Sequence, residues 1–125
     1  METWLALGDH IIIGIDANED VRKGDVYNTM MELGLQEVIL ELHEGESPPE
    51  TCYKNENRVP IDGIFATHGI TPTTGGYTSY DQFCISDHRG VWMDVEKIVA
   101  LGYNPPNLHR MEPKKFIAGK PEQRE

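Results

Sequence analysis

Apolar positions follow two regimes along the chain: a helical rhythm with one β-branched run up to about residue 50, then short alternating stretches. Residues 1–7 are apolar and uncapped, like the last turn of a helix, and Gly8-Asp9 ends it. Residues 10–15 hold Ile11-Ile12-Ile13 and read as a strand covered on both faces. A polar loop runs to Gly24. Asp25 then stands where an N-cap belongs; Val26, Met30 and Leu33 share a helical face, and Gly34 supplies the stop. Residues 35–43 repeat the helical pattern, as a short helix or a helix plus turn, before a loop at Ser47-Pro48-Pro49.

Past residue 50 the rhythm shortens. Residues 51–54 predict a short strand, 55–57 a turn, and 59–66 a strand that Pro60 sets at a sheet border. Residues 70–80, rich in Thr and Gly, predict an irregular strand or loop. Residues 89–95 alternate, with Val91, Met93 and Val95 on one side and Trp92 and Asp94 on the other. Asn104-Pro105-Pro106-Asn107 breaks regular structure. The expected domain is therefore 1–103, with 104–125 a Pro-rich spacer and polar basic tail. The order β-α-(α)-β-β-β predicts an α/β fold with a mixed β-sheet and helices on one face.

A chain of 125 residues, 38% hydrophobic, makes one compact domain. No apolar run approaches the roughly 18 residues of a membrane span. Glu2 stands where a signal peptide carries positive charge, so the expectation is a soluble, intracellular protein with no membrane partner. Cys52 and Cys84 read as free thiols, and a zinc site built from them and a histidine lacks motif spacing. Charge matters more. Residues 1–103 hold 6 Lys+Arg against 18 Asp+Glu, and the whole chain is −10, which opposes strong affinity for nucleic acid.

Three short motifs put oxygen ligands or a histidine at strand ends: Gly14-Ile15-Asp16-Ala17-Asn18, Ile61-Asp62-Gly63-Ile64-Phe65 and Ser86-Asp87-His88. Asp-x-Asn alone is ordinary turn chemistry. The calcium-loop reading of residues 16–27 fails, because Val21 stands where that loop needs Gly and Tyr27 where it needs Glu. Asp62 is different: a carboxylate among Ile61, Ile64 and Phe65 needs a charged or hydrogen-bonding partner. His88 at a strand mouth is a candidate base. His10, His43, His68 and His109 read as structural or solvent-facing.

Taken in order, the three motifs resemble the C-terminal half of the endonuclease/exonuclease/phosphatase (DNase I-like) superfamily, over residues 1–96. The stretch from Leu33-Gly34-Leu35 to Pro48-Pro49-Glu50-Thr51-Cys52-Tyr53 is similar to that family's connection between the first two motifs. Arg89-Gly90-Val91-Trp92 and the basic tail are similar to retroelement endonuclease domains. There are two departures. Ile15 separates Gly14 from Asp16, and Gly63 follows Asp62 where the family has an aromatic residue.

The resemblance implies half of a four-layer α/β/β/α sandwich and metal-dependent phosphodiester hydrolysis. His88 would act on the attacking water, Asp62 would fix its tautomer, and Asp16 would position the nucleophile. Asn18 would donate to the scissile phosphate, and Asp87 would hold Mg²⁺ or Mn²⁺. Nucleic acid is the implied substrate; a small-molecule or lipid phosphatase, or a non-catalytic interaction module, are the alternatives. The family's other metal-binding Asn and Glu have no counterpart in this sequence, so a missing N-terminal half or self-association is expected. An apolar sheet face left open is expected with it.

Overall fold

A computed structural model describes residues 1–102; the expected spacer and tail, together with His109, fall outside the described residues. The elements are α1 (Glu2–Ala6), β1 (Ile12–Asp16), α2 (Asp25–Glu32), β2 (Leu35–Glu37), α3 (Val38–Leu42), β3 (Asp62–Thr67), β4 (Thr74–Tyr77), β5 (Val91–Asp94) and α4 (Lys97–Leu101). No helix among them is long and apolar enough to cross a membrane.

β3 is the centre of a three-stranded sheet, with β1 on one side and β2 on the other, both antiparallel to it. β1 and β2, joined through α2, therefore run parallel to each other but are never adjacent. The insertion of β3 between them is why the expected mixed sheet is antiparallel throughout. β4 and β5 form a separate antiparallel ribbon.

Two cores result. Val21, Met30, Leu35 and Phe65 form the first, with Ile13, Ile15, Leu5 of α1 and Val26 of α2 packed against them. Val38, Ile39, Ala66 and Ile70 form the second, joined by Ile64, Val91, Met93 and Val95. Phe65 and Ala66 are neighbours in the chain yet belong to opposite cores, as the two-residue period of a strand requires. The stripe expected on β5 faces the second core, and Trp92 stays exposed. Val99 of α4 also joins the second core, so the helices are not confined to one face.

Other expectations need correcting. β1 is covered on one face only: Ile13 and Ile15 turn inward, while Ile12 remains 46% exposed. α2 is capped by Gly24, whose φ is 129°, and by Glu19, whose carboxylate accepts the Val26 N–H. Asp25 is one residue inside, where its charge suits the helix dipole. Residues 35–43 are a strand followed by a helix. Glu37 caps that helix, accepting the Leu40 N–H at 2.6 Å, while its other oxygen accepts the Ile64 N–H at 2.9 Å. The strand expected at 51–54 shrinks to a single bridge between Cys52 and His88. Both cysteines are free thiols, as read from the sequence.

Candidate active site

The register of β1 on β3 sets Asp16 directly opposite Asp62. Two carboxylates facing each other across a strand pair repel. The loop after Asp16 is held down by backbone bonds from Ala17 N–H to Ile61 O at 2.8 Å and from Val21 N–H to Pro60 O at 3.0 Å. Asp20 stiffens it, accepting from the Arg22 guanidinium at 3.0 and 2.8 Å. Burial pushes the Asp20 carboxyl up, but the hydrogen bonds and charge of Arg22 outweigh it and hold the group below its ordinary value.

His88 reaches the two carboxylates from another part of the chain. Thr51, fully buried, accepts both the Ile61 and the Asp62 N–H on its hydroxyl, at 2.9 and 3.1 Å. Its carbonyl accepts the Arg89 N–H at 2.7 Å, and Tyr53 N–H donates to Asp87 O at 3.1 Å. Ser86 Oγ accepts the His88 N–H at 3.0 Å. Arg89 anchors the far side, donating to Glu50 O at 2.8 Å and Thr78 O at 3.1 Å with its guanidinium over the Tyr80 ring.

The imidazole so placed has Nδ1 2.8 Å from Asp62 Oδ2 and Nε2 3.8 Å from Asp16 Oδ2. A carboxylate only accepts, so Nδ1 is the donor in this bond, and in the neutral ring Nε2 keeps its lone pair. The hydrogen bond to Asp62 is the main reason the His88 pKa is raised above its ordinary 6.5. Partial burial opposes it, and the charges of Asp62, Asp16 and Asp87 add to it. A shallow cleft of about 240 Å³ lined by Asp16, Asp62, Ile64, Arg89 and Val91 opens beside them. A more enclosed cleft of about 310 Å³, lined by residues including Ile39, His43, Pro48 and Tyr77, is separate from the carboxylates.

Of the five residues singled out in the sequence, Asp16, Asp62 and His88 converge within 4.8 Å through one ligand atom each. Asn18 is beside them in the chain, exposed, with φ 52° and its backbone N–H on Asp16 Oδ1 at 3.0 Å. Asp87 does not join that group. Its carboxylate is 3.7 Å from Lys54 Nζ and falls with Cys52 and His88. The side chain is 36% exposed, which leaves room for the waters a hard cation such as Mg²⁺ retains.

Thr51 was missed as a site-builder in the sequence, and Cys52 was weighed there only with Cys84 and set aside, because only the cross-strand bridge brings these residues to His88. Cys84 is exposed and takes no part in either group. Of the other histidines, His43 bonds Gly75 O at 2.7 Å and His68 is exposed. The glycine at 63 has a steric cause. A Cβ there would stand 3.2 Å from Glu37 Oε1 and 3.3 Å from Glu37 Cγ, so a larger residue would press on the buried cap of α3. Burial raises the Glu37 pKa, against the backbone N–H groups that favour its charge.

The fold and site thus define a small α/β protein with a carboxylate–histidine–carboxylate cluster at one end of an antiparallel strand pair. No protein-family model, curated protein or solved structure matches the chain.

Proposed function

We propose that this chain carries part of a metal-dependent phosphodiesterase site acting on nucleic acid. The observation behind the reading is the imidazole held between two carboxylates, 2.8 Å from Asp62 and 3.8 Å from Asp16. Asp62 fixes the tautomer, so Nε2 takes the proton of a water entering between it and Asp16. Asp16 orients that water, and Asn18, on its left-handed turn, offers its amide to the phosphate. Charge neutralisation on the phosphate oxygens is what a divalent cation at Asp87 supplies when bound.

One hard oxygen ligand is few for a catalytic cation. Further ligands would come from a second segment or chain, and the described elements would be one half of an α/β/β/α sandwich, completed on the open face of β1. Turnover by this chain alone is accordingly weak. The acidic balance favours a second reading, a small phosphoester substrate in place of a polyanion.

Cleavage of a labelled oligonucleotide and of a small chromogenic phosphodiester, in Mg²⁺, tests both readings. The expected result is slow oligonucleotide cleavage that falls about 100-fold or more in His88→Ala. Cleavage of the small ester alone would favour the second reading. Turnover unchanged in His88→Ala would overturn both.

A further inference from the structure

Beside the oxygen-rich group is a second constellation of different chemistry. Cys52, Asp87 and His88 come within 4.8 Å of one another through one ligand atom each. They sit on both sides of the Cys52–His88 bridge, whose backbone is pinned at Tyr53–Asp87 and Arg89–Thr51. Cys52 is 6% exposed and not in a disulfide. Thiolate, imidazole and carboxylate together are a donor set for a borderline-soft cation, with a fourth position left for water. Around a tetrahedral zinc with bonds of about 2.0–2.3 Å, ligand atoms stand roughly 3.5 Å apart. From a spacing of at most 4.8 Å, side-chain movement of roughly an ångström would close the group onto an ion.

We infer that Cys52, Asp87 and His88 bind a thiophilic divalent cation, Zn²⁺ foremost, and that this binding withdraws His88 from proton transfer. The second half of the inference rests on the phosphodiesterase reading; the first does not. The withdrawal holds for either ring nitrogen. A cation on Nε2 blocks the lone pair, with Asp62 as the outer carboxylate that orients a metal-bound imidazole. A cation on Nδ1 replaces the bond to Asp62. Asp87 is shared too, so a hard cation at Asp87 and a soft one at Cys52 exclude each other. Sulfur decides between them, since Mg²⁺ takes oxygen ligands. The ion pair that Asp87 gives up is with Lys54, a side chain 70% exposed, and little is lost with it. The thiol proton passes to solvent on binding.

Cobalt(II) titration of the full chain, kept reduced by a non-chelating phosphine, reads the site without substrate. The expected result is a near-ultraviolet thiolate-to-cobalt charge-transfer band that saturates at one ion per chain and is bleached by Zn²⁺. Cys52→Ser loses the band, and its Zn²⁺ affinity, measured against a chromophoric chelator, falls at least ten-fold. Asp87→Asn weakens binding, and Cys84→Ser keeps both. Cys52→Ala, checked by circular dichroism, stands in if the serine variant does not fold. No band in the parent chain, a band surviving in the Cys52 variants, or one lost in Cys84→Ser would overturn the inference. The two readings separate cleanly. A Cys52-dependent band with oligonucleotide turnover indifferent to His88→Ala leaves the cation site standing and removes the phosphodiesterase. The converse pair of results does the reverse.

Discussion

At the scale of single residues, the His88–Asp62 contact makes a titration argument. The folded pKa of His88 is raised, chiefly by its bond to Asp62. The pair therefore stabilises the fold at pH values below the ordinary 6.5 of the ring, and its contribution is lost as pH rises through the folded value. Asp62→Asn should move the His88 ring titration, followed by NMR, down toward 6.5, and the melting gap to the parent chain should be widest in mild acid. An unmoved titration would show that Asp62 does not hold the ring. Asp62 was legible in the sequence because a carboxylate among isoleucines demands a partner, and His88 because it stands at a strand mouth. Cys52 was not, because its neighbours are fixed by cross-strand register, which a local pattern does not encode.

At the scale of elements, short segments were hardest to read. β2 is three residues, too few for alternation to show, and its Leu35 and Glu37 also fit a helical face. Asp25 looked like the cap of α2 because Gly24, the actual N-cap, offers no side chain, and the carboxylate that accepts from the first turn, Glu19, is outside the local window. The Thr- and Gly-rich run at 70–80 read as an irregular strand or loop, yet Gly75 lets β4 approach α3 and β5. A Cβ on Gly75 would stand 2.8 Å from both Ile39 Cδ1 and Trp92 O, whereas one on Gly76 would meet nothing nearer than 3.9 Å. Gly75→Ala should therefore cost about 2 kcal/mol in denaturant unfolding, and Gly76→Ala well under half of that. Equal costs would mean that the close docking of the ribbon is not what Gly75 serves.

For the whole molecule, net charge and the α/β class were plain from the sequence, while the antiparallel order of the larger sheet depended on β3 entering between β1 and β2, and β4 and β5 paired apart from it. That arrangement puts the two halves of the His88–Asp62 pair in different parts. Asp62 belongs to the three-stranded sheet, and His88 lies on the seam beside it, held by the Thr51 hydroxyl, by the Cys52 bridge with its flanking backbone bonds and, further along, by β5 packing on the second core. Such a seam opens locally at lower cost than the sheet melts. In Thr51→Val the amides of Tyr53 and Arg89 should exchange hydrogen faster, together, while those inside the β1–β3 ladder keep their protection. Uniform loss of protection would mean that the seam and the sheet are one cooperative unit. With separate units, the His88–Asp62 contact becomes a docking equilibrium distinct from folding. A chain can then have every strand in place with that contact open, and whatever clasps Thr51–Tyr53 to Asp87–Arg89 would act as a clutch on the proposed chemistry.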